Sequence, residues 1–226
     1  MKKHQALSIF LMFLLALMFN ACASVSTMQT AAVVPEGELR WAMASTATGT
    51  DGEQVSAKAE PNFEVGVRYG VAENVDIGLK LNFLGAQLGA KYQIMNGDFD
   101  LSIGLEAGYQ WLKSKDTGDD PDDPSTHAII LQLPLLMEYH FNPYVGLAFG
   151  PKLAGLVIAH TDNRTDLWQN SGFYGGLMLG LPLRLTSGVW FMPEFNIYTN
   201  FYDESEGYFD KVIWHAGISV FFGGLN

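Results

Sequence analysis

Apolar and polar side chains alternate along most of the chain after residue 38. Residues 75–83 place large apolar side chains on one face and short or charged ones on the other: Val75, Ile77, Leu79, Leu81 and Phe83 against Asp76, Gly78, Lys80 and Asn82. A period of two is typical of β-strands, because successive side chains point to opposite faces. The pattern predicts ten strands, with no helical period and no second domain. These are residues 38–45, 62–71, 75–84, 86–94, 98–111, 128–141, 144–158, 172–185, 189–201 and 211–222.

The direction of the apolar faces decides the fold class. Ten such faces carry about fifty large side chains, more than the interior of a small barrel can hold. The apolar faces should therefore point outward into lipid, and the faces rich in Gly, Ala and Ser should line a crowded lumen. We predict an all-β fold, an antiparallel up-and-down transmembrane β-barrel of about ten strands. The alternative is a soluble lipocalin-like barrel, with the apolar faces inside.

The connections between the predicted strands support a membrane orientation. Those after strands two, four, six and eight are tight, at residues 72–74, 96–97, 142–143 and 186–188. Those after strands one, five, seven and nine are long and polar, and only the third, near Gly85, breaks the rule. Membrane barrels have short periplasmic turns and longer external loops. This pattern predicts a bacterial outer-membrane location.

Aromatic residues fall near the predicted strand ends, where membrane barrels carry interfacial girdles. The outer ends carry Phe63, Phe83, Trp111, Phe173 and Phe201, and the inner ends carry Phe99, Tyr139, Phe141 and Phe222. The simpler interpretation is that aromatic residues favour strands in general.

The N-terminus has the features of a secretion signal. Lys2 and Lys3 precede an apolar run at 6–19, which is short for a membrane helix and suitable for a signal peptide. In one interpretation residues 17–22 resemble a bacterial lipobox and Cys22 becomes the lipidated first residue. In the other, residues 21–23 form an ordinary A-x-A cleavage site. We expect a signal peptide at 1–21, a periplasmic tether at 22–37 and the barrel at 38–226.

Composition and charge exclude several classes of protein. The chain has 226 residues with 24 glycines, and its formal net charge of −11 argues against a nucleic-acid partner. One cysteine excludes an intrachain disulfide framework and any multi-cysteine metal site.

Charged residues on the predicted lumen-facing side form a balanced set. Six are basic and six acidic: Arg40, Arg68, Lys80, Lys91, Lys152 and Arg184 against Glu64, Asp76, Asp100, Glu106, Glu138 and Glu194. Together with His215 they predict a neutral, salt-bridged and closed lumen, because buried charges need partners. A selective pore would carry an excess of one sign. A narrow pore or a small-ligand cleft is the alternative.

Four consecutive predicted strands contain a proline, which central strands rarely tolerate: Pro134, Pro151, Pro182 and Pro193. On physical grounds these positions predict bulges. Residues 131–139 (LQLPLLMEY) followed by 142–151 (NPYVGLAFGP) resemble the "IPLLLKY … PYVGAGP" signature of bacterial outer-membrane β-barrel domain proteins, the group that includes PorT-like proteins. The resemblance implies the barrel architecture and, by analogy, a transport or secretion accessory. Glu138 stands where that signature has lysine, so no role of the lysine is carried over.

Candidate chemistry is sparse, and we predict no catalytic residues, no enzymatic activity and no cofactor. His215 and Ser219 share a face, but four residues along a strand separate them by roughly 13 Å, too far for a nucleophile and its base. His140 is the other candidate for a lipid-modifying hydrolase, the least favoured function. An acidic loop offers a weak possibility of binding a divalent cation through Asp116, Asp119, Asp120, Asp122 and Asp123.

The sequence therefore predicts a structural or interaction scaffold in the outer membrane, with acidic external loops. We expect outer-membrane lipids as partners, other envelope proteins as candidate partners, and a monomer. Transport or a narrow pore is the alternative function.

Overall fold

The computed structural model describes residues 26–51, 60–83, 85–112, 126–160, 171–201 and 212–223. Eleven strands account for most of them: β1 (Leu39–Asp51), β2 (Glu60–Ala72), β3 (Val75–Asn82), β4 (Gly85–Met95), β5 (Phe99–Leu112), β6 (Thr126–Asn142), β7 (Val145–His160), β8 (Ser171–Gly180), β9 (Leu183–Thr186), β10 (Val189–Asn200) and β11 (Val212–Phe222). No described helix is long and apolar enough to cross a membrane.

The strands form one closed antiparallel barrel. Each pairs with its neighbours in chain order except β8 and β9, which do not pair with each other, and β11 returns to pair with β1 from Trp41–Phe222 to Asp51–Val212. Strands β8 and β9 both pair with β7 and β10, and together they make one crossing interrupted at Leu181 and Pro182. Eleven strands thus give ten crossings, as the alternating pattern predicts.

The apolar faces point outward. Large side chains such as Leu88, Ile129 and Leu177 are 64%, 58% and 61% exposed, whereas the alternate positions are mostly buried in the lumen. An exposed apolar belt of this size fits lipid and not water. The predicted girdle residues Phe83, Trp111, Phe173, Phe201, Tyr139, Phe141 and Phe222 are exposed, while Phe63 and Phe99 are half-buried. The lipocalin-like alternative is therefore wrong.

The prolines are accommodated in different ways. Pro182 lies in the break between β8 and β9, and Pro134 lies where the β5–β6 ladder skips two pairs. A Cβ atom on Gly104 would lie 2.9 Å from the Pro134 ring, so glycine makes room for it. Pro151 and Pro193 remain in register with Leu177 and Ile218. The expectation of a bulge thus fails at those two positions.

Predicted and observed strand limits agree except at β1 and strand eight. β1 continues to Asp51, beyond the predicted end at residue 45, because Ala44, Thr46 and Thr48 keep facing inward. The short third connection lies between Asn82 and Gly85. The four long connections, with the acidic residues 116–123, lie outside the described residues.

Residues 26–34, which we call the lumen segment, lie inside the barrel. All are buried except Ala32, which is half-buried. At the rim, Glu36 bridges Gly70 of β2, and Gly37 N donates to Gly70 O at 2.9 Å. Gly70 is required there, because a Cβ atom would lie 2.0 Å from Pro35 O. The predicted periplasmic tether is therefore wrong for residues 26–34.

Candidate functional site

The lumen segment rises from the periplasmic rim to the middle of the barrel. Val34 N donates to Asp76 at the periplasmic start of β3, at 2.9 Å. Further N-terminal, Ala31 N donates to Glu138 Oε2 of β6 at 3.1 Å. Ser26 Oγ donates to Glu64 Oε2 in the middle of β2 at 2.6 Å. The segment therefore fills the lower lumen, the half nearest the short turns.

The amides of the segment meet carboxylates on the barrel wall. Thr27 N and Met28 N donate to the two oxygens of Glu194 at 3.0 and 3.2 Å. Val33 N donates to the side-chain oxygen of Gln93 at 3.4 Å. With the bonds to Asp76 and Glu138, three acidic side chains of different strands accept main-chain N–H groups. Such charge-assisted hydrogen bonds are stronger than neutral ones.

The carbonyls of the segment meet lysines. Lys91 Nζ donates to Thr30 O at 2.8 Å and to Ala32 O at 2.7 Å. Lys80 Nζ donates to Ser26 O at 2.8 Å, and Ser102 Oγ donates to Ala31 O. The segment has no charged side chain of its own, so it neutralises nothing. It supplies hydrogen-bonding groups to charges that would otherwise face an empty channel.

Side chains of the segment make a second set of contacts. Thr27 Oγ1 donates to Asn196 Oδ1 at 3.0 Å, and Lys152 Nζ lies 2.9 Å from the same hydroxyl. Gln29 Nε2 donates to Glu106, and Arg40 Nη1 donates to Thr30 Oγ1 at 3.3 Å. These contacts join strands on opposite sides of the barrel through the segment.

The wall also pairs its own charges. Arg68 binds Asp76, Lys91 Nζ lies 3.5 Å from the other oxygen of Asp76, and Lys80 Nζ lies 3.6 Å from Glu64. Buried charges are tolerated when partners satisfy them. Here the partners are each other and the main chain of the lumen segment.

The structure places most of the predicted lumen residues in this network. Ten of them are buried: Arg40, Glu64, Asp76, Lys91, Asp100, Glu106, Glu138, Lys152, Glu194 and His215. Arg68 and Lys80 are partly buried and belong to the ion pairs above. Arg184 does not join them, because it lies at the periplasmic turn, donates to the carbonyls of Thr186 and Ser187, and stacks on Trp190.

Sequence reasoning missed the lumen segment and its uncharged partners. Gln93, Ser102 and Asn196 each follow a predicted lumen residue by two positions, so strand alternation could have identified them. The segment itself has no strand period and no charge. One position of the sequence reflects the course of the segment. A side chain at Gly70 would collide with the main chain of Pro35, which passes over β2 at this point.

A cluster of three titratable side chains lies near the periplasmic rim. Asp100, Glu138 and His140 bring one ligand atom each within 4.8 Å of one another, a spacing that could hold a metal ion. His140 Nε2 lies 3.0 Å from Asp100, and its Nδ1 lies 3.8 Å from Glu138. Gly97 N and Ala31 N also donate to these carboxylates. His140 thus hydrogen-bonds Asp100 and lies beside Glu138, which in turn accepts from the lumen segment.

His215 and Ser219 do not form a nucleophile–base pair. Among the described residues, His215 Nε2 and Ser219 Oγ each lack a hydrogen-bond partner, while His215 Nδ1 lies 3.2 Å from the Asn196 amide. A serine nucleophile needs its base within hydrogen-bond distance.

The external half of the lumen is filled differently. We call its buried apolar residues the upper cluster: Ala128, Ile130, Ala154, Leu156, Tyr174, Tyr198 and Ile213. Most of them lie close to the external ends of their strands. In contrast, two apolar clusters of the lower lumen contain Met28 and Ala31 of the segment.

Little space remains around the lumen segment. A cavity of about 30 Å³ separates Thr27, Met28 and Gln29 from the wall formed by β1 to β5. That volume accommodates a water molecule or so but no larger ligand. The lower lumen is thus occupied by the chain itself.

Comparisons with known proteins show structural similarity at low sequence identity. No protein-family model matches the sequence, and no curated protein matches it. Among solved structures, Ail, the attachment invasion locus protein of Yersinia pestis, is similar at 10% identity and a TM-score of 0.43, over 83% of this chain and 99% of that one. Neisserial surface protein A is similar at 8% identity and a TM-score of 0.43, over 82% and 95%. The N-terminal β-barrel domain of Pseudomonas aeruginosa OprF is similar at 8% identity and a TM-score of 0.31, over 83% and 98%.

The fold and the site together define a class. A closed antiparallel barrel with an apolar outer belt, a polar interior and alternating short and long connections is a transmembrane β-barrel of the bacterial outer membrane. In this chain the lower lumen is occupied by residues 26–34.

Proposed function

We propose that the protein is a plugged, non-conducting outer-membrane barrel that acts as a structural or interaction scaffold and presents its long acidic connections outside the cell. It has no catalytic role in this proposal. The observation that carries it is the burial of residues 26–34 in the lower lumen, held there from several strands. A barrel whose interior is filled by hydrogen-bonded groups has no continuous water path for ions.

Charge supports the scaffold over a selective pore. The buried lysines and carboxylates of the lower lumen are interspersed, with Lys91 beside Asp76 and Lys80 beside Glu64. Ion-selective channels line their constriction with an excess of one sign. The runner-up is a transport or secretion accessory, as the PorT-like resemblance implies, in which the segment would leave the lumen during function.

Conductance in planar bilayers tests the proposal. We expect the full-length barrel to stay at the baseline. A variant that lacks residues 26–34 and also carries Tyr174→Ala and Tyr198→Ala should open stable channels, because water then enters both halves of the lumen. A gel shift between boiled and unboiled samples in SDS checks that both proteins form closed barrels. Open channels in the full-length protein would favour the transport alternative. A combined variant that folds yet stays closed would show that these groups are not the seal.

Lipidation of Cys22 stays a prediction, since that residue lies outside the described range.

Metabolic labelling with a fatty acid tests this prediction: we expect the wild-type protein to be acylated and a Cys22→Ser variant to stay unlabelled.

A further inference from the structure

The lower lumen holds residues 26–34 chiefly through their main chain. Main-chain amides of Thr27, Met28, Ala31 and Val34 donate to the carboxylates of Glu194, Glu138 and Asp76. Main-chain carbonyls accept from the wall as well, at Ser26 O, Thr30 O, Ala31 O and Ala32 O. Every residue of a polypeptide carries these groups, so the contacts do not depend on side-chain identity.

The wall groups that contact side chains of the segment have other partners within the wall. Glu64 also accepts from Thr46 Oγ1 at 3.1 Å, and Glu106 also accepts from Gln87 Nε2 at 2.6 Å. Loss of a segment hydroxyl or amide therefore leaves each carboxylate with a wall partner on its other oxygen. The oxygens of Glu194, by contrast, meet two main-chain amides at 3.0 and 3.2 Å, with Asn196 Nδ2 at 3.5 Å as a weaker neighbour.

The lower lumen also limits the size and the charge of the side chains that a bound segment can carry. The segment consists of small or slender uncharged residues, and the cavity left beside it is about 30 Å³. Ala31 is 1% exposed and packs with Leu136, Ala148 and Met178, so a large side chain would not fit there. An additional charge would have to be buried without a designated partner.

We infer that the lower lumen is a binding site for an uncharged polypeptide in an irregular conformation, recognised through its main chain, and that residues 26–34 are its resident ligand. The inference rests on the proposed plugged barrel and extends it, because a barrel emptied of the segment retains a site for such a peptide supplied by another chain. Main-chain recognition gives affinity in other peptide-binding proteins, where an added strand pairs with a sheet edge. Here carboxylates and lysines inside a barrel take the place of that edge.

Binding of synthetic peptides to the deletion variant lacking residues 26–34 tests the inference. The probe is a fluorescent peptide with the sequence of residues 26–34, and the readout is fluorescence anisotropy with the refolded barrel in detergent. We expect saturable binding, and loss of at least about 100-fold in affinity when the amides of Thr27, Met28, Ala31 and Val34 are N-methylated, because four charge-assisted donors disappear.

Two further peptides separate main-chain from side-chain recognition. Alanine in place of Ser26, Thr27, Gln29 and Thr30 removes the side-chain contacts, and we expect affinity within about tenfold of the parent peptide because the wall groups keep partners. N-methylation at Gln29 and Ala32, whose amides donate no hydrogen bond to the described wall, controls for the bulk of the methyl group and should have a smaller effect than the first set. Equal losses for both N-methylated peptides, or a larger loss for the alanine peptide, would overturn the inference.

A second preparation covers a deletion variant that does not fold. A protease site inserted after Gly37, which lies exposed at the rim, allows the chain to be cut after the barrel has closed. The released fragment should exchange with the fluorescent peptide and not with its N-methylated form. Absence of binding in a folded, emptied barrel would refute the peptide site while leaving the plugged scaffold standing, since conductance of the full-length protein tests the latter.

Discussion

The two halves of the lumen differ in the kinds of groups that occupy them. The lower lumen carries lysines and carboxylates, and it is filled by residues 26–34 of the same chain. The upper half contains the upper cluster, a group of apolar and tyrosine side chains from β6, β7, β8, β10 and β11 without any residue of the lumen segment. Buried charges demand hydrogen-bonding partners, whereas apolar side chains demand only close packing.

The comparison shows why only the lower half needs an additional segment of the chain in its centre. Charged groups on the barrel wall lie on different sides of the lumen. A segment that runs along the barrel axis can contact several strands at once: Glu194 of β10, Glu138 of β6, Asp76 of β3 and Lys91 of β4. The upper cluster needs no intermediary because Tyr174, Tyr198 and Leu156 belong to one apolar cluster of wall residues.

The largest effect on stability is expected from Glu194→Leu. This change removes the acceptor of two main-chain amides in a buried site, and we expect it to lower the free energy of unfolding by about 3 kcal/mol. Urea unfolding of the barrel in lipid vesicles measures it. In the variant lacking residues 26–34, the same substitution should cost less than about 1 kcal/mol, because the amides are gone and water enters. An undiminished cost in that background would break the proposed coupling between Glu194 and the segment.

A somewhat smaller effect is expected from Leu156→Ala in the upper cluster. Loss of a buried leucine side chain should lower the free energy of unfolding by about 2–3 kcal/mol through lost packing and a residual cavity. Here the cost should be the same with or without residues 26–34, as measured by the same urea titration. A strong dependence on the segment would mean that the two halves of the lumen are not independent.

The smallest effect is expected from Arg184→Ala. This residue belongs to neither half: it stacks on Trp190 with its guanidinium carbon 5.5 Å from the ring centroid and donates to turn carbonyls. An exposed cation–π contact of this kind contributes about 0.5–1 kcal/mol. The matched change at Lys91, Lys91→Met, should cost several times more in the same titration. Equal losses of unfolding free energy for the two substitutions would indicate that Arg184 belongs to the lumen network.

Several features could be predicted from sequence because they repeat along each strand. Alternation at residues 75–83 and 98–111 gives the strand positions and the outward direction of the apolar faces, and the same phase places Asp76, Lys80, Asp100 and Glu106 in the lumen. Arg184 keeps the inward phase of Met178 and Pro182, but it lies at the periplasmic turn beside Trp190, and alternation alone does not tell how far along the barrel a lumen-facing residue lies. Residues 26–34 were assigned to a tether because they carry neither a strand period nor a charge.

Local sequence by itself determined the number of crossings, the lipid-facing surface and the charged character of the lumen, since each follows from side chains two positions apart on one strand. Tertiary structure alone decided which charges meet and what fills the space between them. Only closure of the barrel brings Glu194, Glu138, Asp76 and Lys91 around a common axis, at a spacing that the main chain of residues 26–34 can bridge. Because buried charges need hydrogen-bonding partners, the main chain of residues 26–34 is stabilised inside the lumen, although the sequence of the segment has neither a strand period nor a charge.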